Sequence, residues 1–430
     1  MGAKFDVVVV GGRVAGTGLA IHLRRRGLSV GIFDRAQLPG DTMSTHVIYP
    51  NTIARLECLG ALDRIMAHRP PPLYTSWYHQ NRMFVAPHTP EAGRDWALCI
   101  RRSTLDRHLQ EIARESGAEV FDNAPVKALL GAGTDDDPVR GVVAEIDGND
   151  VSIEAALVVG ADGVSSTVAG LVGAKRERVM PTKSMLYYAY WIDVDTRNTQ
   201  DFFFEPPWIC AHFPADDGHH VVTMNGPVEM RRSIQDLEAF YLDRIRSIPQ
   251  LWGRLSKARK VSDVRGTPRL EGFYRRQAGP GWLLSGDAAH FKHPASAQGI
   301  GDALHAAEAL APMIADNTFQ EKYPLWREEV SHDLYAFCEF LADLPTDEGM
   351  RQAMDILIQD AVAARAVVDI WSRSIRPWDA LRMVPPMLRA AGPSPEAVLE
   401  KYPGRPLAFA QSSSAAYARV SAAFTSNKGV

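Results

Sequence analysis

Residues able to do chemistry stand in three glycine-marked stretches. The first is Gly11-Gly12-Arg13-Val14-Ala15-Gly16, after the apolar run Phe5 to Val10 and ahead of Asp34, eighteen residues past Gly16. A glycine turn between a buried strand and a helix offers free backbone N–H groups and a positive dipole end, which together suit a pyrophosphate. An acid closing the next strand accepts hydrogen bonds from ribose hydroxyls. Gly11 allows the tight turn, and Gly16 lets helix and strand pack closely. The middle glycine of the fingerprint is replaced by Arg13, with Gly12 beside it to permit close approach.

The second stretch, Val158 to Ser166 (VVGADGVSS), runs an apolar strand into a Gly-Asp-Gly turn, which can place the Asp162 carboxylate at a sheet mouth. The third runs from Gly281 to His290 (GWLLSGDAAH) and on through Pro294 to Gln298-Gly299-Ile300-Gly301. It is again a strand ending in Gly-Asp, at Asp287. Glycines then open a helix whose start can stabilise negative charge. His46 and His212 are the candidate bases if the chemistry needs one. The four cysteines, Cys58, Cys99, Cys210 and Cys338, are scattered without CxxC spacing or companion histidines. No metal site is expected, and reduced thiols are the reading.

The elements that must hold these groups begin with a βαβ unit: strand Phe5 to Val10, helix Thr17 to Arg26, strand Leu28 to Phe33. A helix is expected over Asn51 to Met66, a hairpin over Leu73 to Val85 with Gln80-Asn81 at its turn, and a helix ending near Gly117. Strands are expected at Glu119 to Leu130, Val139 to Ile146 and Val151 to Val159. From Ser184 to Pro227 aromatic residues crowd together and suggest sheet strands in place of βαβ repeats. Within them, Tyr188, Tyr190, Trp208 and Met224 are the candidates to face a flat, apolar substrate. Glu229 to Leu255 and the chain beyond Lys322 read as helical, with an irregular tail after Pro403. With 430 residues, 46% hydrophobic and 23% charged, the chain can bury a large core in more than one domain. Net charge of −4 argues against nucleic acid as a partner. No run is long and apolar enough for a membrane span, and Met1 to Lys4 is too short for a signal peptide. A cytoplasmic monomer or homodimer is expected.

In order and spacing, the GxGxxG-like finger at Gly11 to Gly16, GADGxxS at Gly160 to Ser166 and GDAAH…P…QG at Gly286 to Gly299 resemble the FAD-dependent monooxygenases related to para-hydroxybenzoate hydroxylase. The resemblance covers roughly residues 5 to 315. Phe273 to Trp282 and Gln298 to Ala311 look most like a bacterial subgroup near geranylgeranyl reductases and flavin halogenases. The halogenase WxWxIP signature is absent. The resemblance implies an α/β fold: a Rossmann-like FAD-binding domain from 1–69, 99–175 and 266–330, an inserted mainly β substrate domain from 70–98 and 176–265, and a C-terminal helical region, 331–430. It implies that Gly11, Gly12 and Gly16 hold the pyrophosphate and that Arg13, Ala15 and Arg35 also bind the cofactor. Asp34 would serve the adenosine ribose, Arg102 the phosphates, and Val126 the adenine surroundings. Asp287 would contact the ribityl chain, while Pro294 and Gln298, Gly299 and Ile300 would line the isoalloxazine. Asp162 falls in the motif such enzymes use for both FAD and NAD(P)H. Two positions depart from the pattern: Ala169 where arginine is expected and Ala297 where glycine is expected.

The implied reaction is flavin oxygenation, with NAD(P)H as reductant and O2 adding at flavin C4a before one oxygen passes to an aromatic or polycyclic small molecule, in natural-product metabolism. Two other readings stay open: a flavin dehydrogenase, reductase or cyclising enzyme on the same fold, and a flavoprotein serving as a binding or structural module.

Overall fold

The computed structural model describes residues 4–342 and 346–390. The tail expected after Pro403 lies outside them.

The β-branched run Lys4–Val10 forms the centre of a largely parallel sheet, because its valines are buried on both faces. It pairs in parallel with Val30–Phe33 on one side and with Asn149–Gly160 on the other. Trp282–Leu284 adds beyond Asn149–Gly160, and Glu119–Phe121 adds beyond Val30–Phe33. Strands from both ends of the first three hundred residues therefore share one sheet, with a long segment inserted between them. The stretch expected as a single strand at Glu119 to Leu130 is two. Its second half, Val126–Leu129, leaves the parallel sheet to pair with Gly141–Ile146. The helix Val14–Arg24 packs over this sheet together with Gly299–Ala315. The helix expected over Asn51 to Met66 divides at Gly60, whose φ of +82° ends Pro50–Leu59 before Leu62–Met66 begins.

A second sheet takes the aromatic strands. Ser184–Ile192, His220–Pro227, Trp208–Pro214, Thr199–Glu205 and the hairpin Tyr74–His79 with Arg82–Ala86 lie side by side in that order. Its two faces alternate residue by residue. One face, with Met185, Tyr187, Phe203, Cys210 and Met224, packs on the helices Leu237–Arg246 and Pro249–Leu255 through Tyr241, Ile245 and Leu251. The other, with Tyr188, Tyr190, Ala211 and Phe213, meets Val47 and Tyr49 of the first layer. Arg176–Met180 does not join this sheet, contrary to its sequence assignment. It pairs with Gly272–Arg275, which in turn pairs with His290–Phe291.

The expected C-terminal helices are present through residue 390. They fold back onto the second sheet: Met350, Met354 and Val367 share a buried cluster with Trp77, Phe84 and Phe204. Thr89 donates from its backbone N–H and its hydroxyl to the two oxygens of Asp369, both at 2.6 Å, tying this region to the hairpin.

Candidate active site

Val10, Phe33, Gly160 and Leu284 end at the same edge of the parallel sheet, so the loops that follow them converge there. Gly11 adopts φ +111°, and a Cβ on it would meet the Ala161 carbonyl oxygen at 2.4 Å. A Cβ on Gly16 would lie 1.9 Å from the Gly11 oxygen. Both positions therefore exclude a side chain. Asp34 Oδ2 accepts the Gly12 N–H at 2.7 Å and Oδ1 accepts the Ala36 N–H at 2.9 Å. From the opposite side, Gln110 Nε2 donates to the Gly12 carbonyl at 2.8 Å. The third stretch arrives at the same spot. At Gly286, φ +60°, an added Cβ would stand 2.9 Å from that of Ala15.

Arg102 opens the helix Arg102–Glu115 and pairs with Asp106 one turn on, Nη2 to Oδ2 at 2.9 Å. Burial pushes the Asp106 carboxyl up, with Arg102 and Arg13 pulling the other way. Arg13 Nη1 is buried with no hydrogen-bond partner. The helix beginning at Val14 has neither a side-chain cap nor an acid in its first turn. An unused buried guanidinium donor beside an uncapped helix start fits the diphosphate of a dinucleotide. Asp287 lies in a turn at Gly286–Ala288. Burial pushes its carboxyl up, opposed by the charges of Lys292, Arg102 and Arg327.

Other sequence candidates take different places. Arg35 is exposed, while Val126 and Ile300 turn their side chains into the core. Both Asp162 oxygens are engaged locally, by the Ser166 hydroxyl at 2.5 Å and the Thr167 N–H at 2.6 Å. That carboxylate orders the start of a short helix.

Pro294–Ser296 forms a single tight turn, and Ala297 follows at φ +50°. A left-handed alanine costs about 1–2 kcal/mol, which is the physical reason glycine suits this position. Gln298 then precedes the helix Gly299–Ala315. Both ends of its amide are engaged: Nε2 donates to the Trp371 and Ser296 carbonyls at 2.7 and 3.1 Å, and Oε1 accepts from Arg373 Nε at 2.8 Å. Arg373 and Lys292 both pair with Asp302, in the first turn of that helix. Burial drives the Lys292 ammonium well below its ordinary value.

Between this turn and the second sheet lies a cavity partly open to solvent. Val47 and Tyr49, then Pro294, Ala295 and Ala297, form one wall. Phe202, Phe204, Ile209 and Phe213 form the sheet wall, and the C-terminal helices close it with Phe340, Met350, Trp371 and Met387.

His46 is fully buried at φ +66°, its ring edge-on to Tyr188 and Tyr190 with centroids 5.0 and 5.5 Å apart. Its Nε2 lies 2.8 Å from the Tyr190 hydroxyl, which reaches Asp41 Oδ1 at 3.4 Å. A carboxylate only accepts, so Tyr190 donates to Asp41 and accepts from His46. Asp41 in turn pairs with the half-exposed Arg265 at the surface. Burial first, and the Arg102 charge second, push His46 down to about 3, so its ring is neutral.

His212 belongs to the opposite face of the sheet. Its Nδ1 lies 3.3 Å from Asp201 Oδ2 and its Nε2 2.9 Å from His220 Nδ1, in a buried network closed by Arg254. Trp208 and Met224 lie on that face too, among the helices, with the Trp208 ring under Arg244 at 4.8 Å. These three are removed from the site by the strand period of two: one residue along, Ile209, Thr223 and Asn225 line the cavity. Tyr188 and Tyr190 are on the inner face, packed against His46, but neither lines the cavity. Residues absent from the sequence reading include Arg101, whose side chain and N–H both hold Asp216 across the two layers, and Lys292, Asp302 and Arg373. No local motif marks these partners; their meeting depends on the fold.

The chain matches the FAD binding domain family over residues 4–324. It is 25% identical to the menaquinone reductase of Mycolicibacterium smegmatis over 76% of this chain and 80% of that protein. It is 26% identical to a putative 2-heptyl-3-hydroxy-4(1H)-quinolone synthase of Rhodococcus erythropolis, over 72% of this chain and 79% of that one. Among solved structures, a flavoprotein/dehydrogenase from Cytophaga hutchinsonii superposes with a TM-score of 0.75 at 17% identity, covering 88% of this chain and 95% of that one.

Proposed function

This chain belongs to the FAD-binding-domain family of flavin-dependent oxidoreductases, and we propose that within it the protein is a monooxygenase that places oxygen from O2 into a flat, apolar aromatic or polycyclic molecule, with NAD(P)H as reductant. The observation that carries this reading is the cavity between the 294–297 turn and the aromatic sheet, because its walls are largely apolar and aromatic and suit a flat ring system.

The glycine turn, Arg13 and Arg102 would hold the FAD diphosphate, Asp34 its ribose, Asp287 its ribityl chain, and the 294–300 segment its ring. Bound FAD supplies the redox chemistry, taking reducing equivalents from a nicotinamide and using them on O2. The protein's own residues do the rest. The helix start at Gly299 stabilises negative charge on the ring side. The chain His46–Tyr190–Asp41 gives a proton a route between the interior and the surface at Arg265, with the neutral His46 ring able to pass it on. The test is NAD(P)H consumption against a panel of aromatic compounds, with O2 withheld in parallel. Oxygen-dependent consumption and a product heavier by one oxygen atom are the expected result.

The menaquinone reductase relative favours a second reading, reduction of an apolar ring substrate on the same fold. Turnover that continues without O2 would select it.

A further inference from the structure

We infer that Asn225, with Thr223 beside it, is the polar anchor of the cavity, and that the molecule it takes is uncharged: an aromatic or alicyclic ring compound bearing a hydroxyl, not a carboxylate. The inference rests on the reading of this cavity as the substrate site.

Thr223 and Asn225 alternate on the strand His220–Pro227, so they share a face about 7 Å apart along the chain. Asn225 stands on a strand paired on both sides, opposite Leu186 in one neighbour and Ile209 in the other. Behind it the Trp208 ring covers Gly226 so closely that a Cβ there would stand 2.1 Å from it. The amide is therefore held in place by backbone pairing and by packing from the far face. Asn225 is only 7% exposed, and its Oδ1 is buried with no hydrogen-bond partner. A buried acceptor left unpaired is unfavourable, and a ligand hydroxyl that donates to Oδ1 removes that cost. A hydroxyl suits both ends of the amide, since it can donate to Oδ1 and accept from Nδ2.

The rest of the lining decides against charge. Among the described residues, no Lys, Arg, His, Asp or Glu lines the cavity. A carboxylate entering it would give up its hydration with no cation to receive it. An uncharged ring gives up little, and Trp77, Phe202 and Trp371 offer it aromatic surface.

The experiment is equilibrium dialysis of the FAD-loaded full chain with three probes of one shape: 2-naphthol, naphthalene and 2-naphthoate. The expected order has 2-naphthol about tenfold tighter than either of the others. In Asn225→Leu the advantage of 2-naphthol over naphthalene should vanish while naphthalene affinity stays the same. If that variant does not retain FAD, Asn225→Ser replaces it, with the same loss expected. Binding of 2-naphthoate as tight as that of 2-naphthol overturns the proposal. So does a variant that keeps the naphthol preference, or the absence of binding by any probe. Oxygen-dependent NAD(P)H consumption, read on the same preparations, judges the monooxygenase assignment separately.

Discussion

Arg373 reaches from the end of the helix Ala361–Ser372 to Gln298, donating from Nε to Oε1 at 2.8 Å, and the same guanidinium pairs with Asp302. One side chain of the C-terminal region thus fixes the turn that the flavin ring would meet. The consequence is that helices beyond the FAD-binding strands set the geometry of the site as well as the cavity wall.

Arg373→Met should leave Gln298 Oε1 unpaired and remove one of the two partners of Asp302. The expected cost is about 1–3 kcal/mol in stability, the range for a stranded buried acceptor. Looser FAD binding should accompany it. Urea unfolding and FAD fluorescence titration check both. A variant with unchanged unfolding midpoint and unchanged FAD affinity would show that the clamp holds nothing.

Asp34 is predicted to matter through charge and geometry together, since its carboxylate holds the Gly12 N–H as well as facing the ribose site. Asp34→Ala should weaken FAD binding by about 1–3 kcal/mol. Asp34→Asn, which keeps one acceptor, should lose less. Equal losses in the two variants would contradict the role given to the Gly12 bond.

The parts of this molecule legible in the sequence were those written in local pattern. The turn at Gly11 to Gly16, the strand runs around it and the helix start after Gln298 all rest on glycine placement and apolar periodicity over a few residues. The inserted aromatic strands were equally plain. Which aromatic faces which way was not. Trp208 and Met224 differ from the cavity residues Ile209 and Thr223 by one step, and only the pairing register sets that parity. Arg373 meets Gln298 across seventy-five positions, and Arg101 meets Asp216 across more than a hundred. Such partners have no signature in a single chain, because either arginine would serve a helix surface equally well. Asp162, a motif position, also shows a local role that the motif alone did not give: its carboxylate orders its own turn.

Acid should destabilise the fold through its buried histidines before its carboxylates. Burial pushes His46, His88 and His220 down to about 3, and His22 and His293 to about 4, against an ordinary value near 6.5. Between those values the unfolded chain binds more protons than the folded one, so stability rises with pH there. The contribution is complete above about pH 7 and is lost as pH falls through 6.5 toward 4. Urea midpoints at pH 7.5 and pH 5.0 test this, with a clear drop expected at pH 5.0. A flat profile down to pH 4.5 would mean these rings are not neutral and enclosed.

The two glycines of the ring-side helix should separate by experiment. A Cβ at Gly301 would meet the Thr52 hydroxyl oxygen at 2.6 Å, whereas one at Gly299 would meet no protein atom within 4 Å. Gly301 is thus needed for packing against the helix Pro50–Leu59, and Gly301→Ala should cost about 1–3 kcal/mol in overall stability, as overpacking does. Gly299→Ala should leave the unfolding midpoint unchanged, since helix propensity even favours alanine there. If the flavin ring approaches this backbone, Gly299→Val, whose two added methyl groups project further than an alanine Cβ, should lower FAD content and slow flavin reduction while the rest of the chain stays folded. Stability is read by urea unfolding of the FAD-free protein, and FAD content by absorbance after gel filtration. A Gly299→Val protein with full FAD and an unaltered reduction rate would place the ring elsewhere.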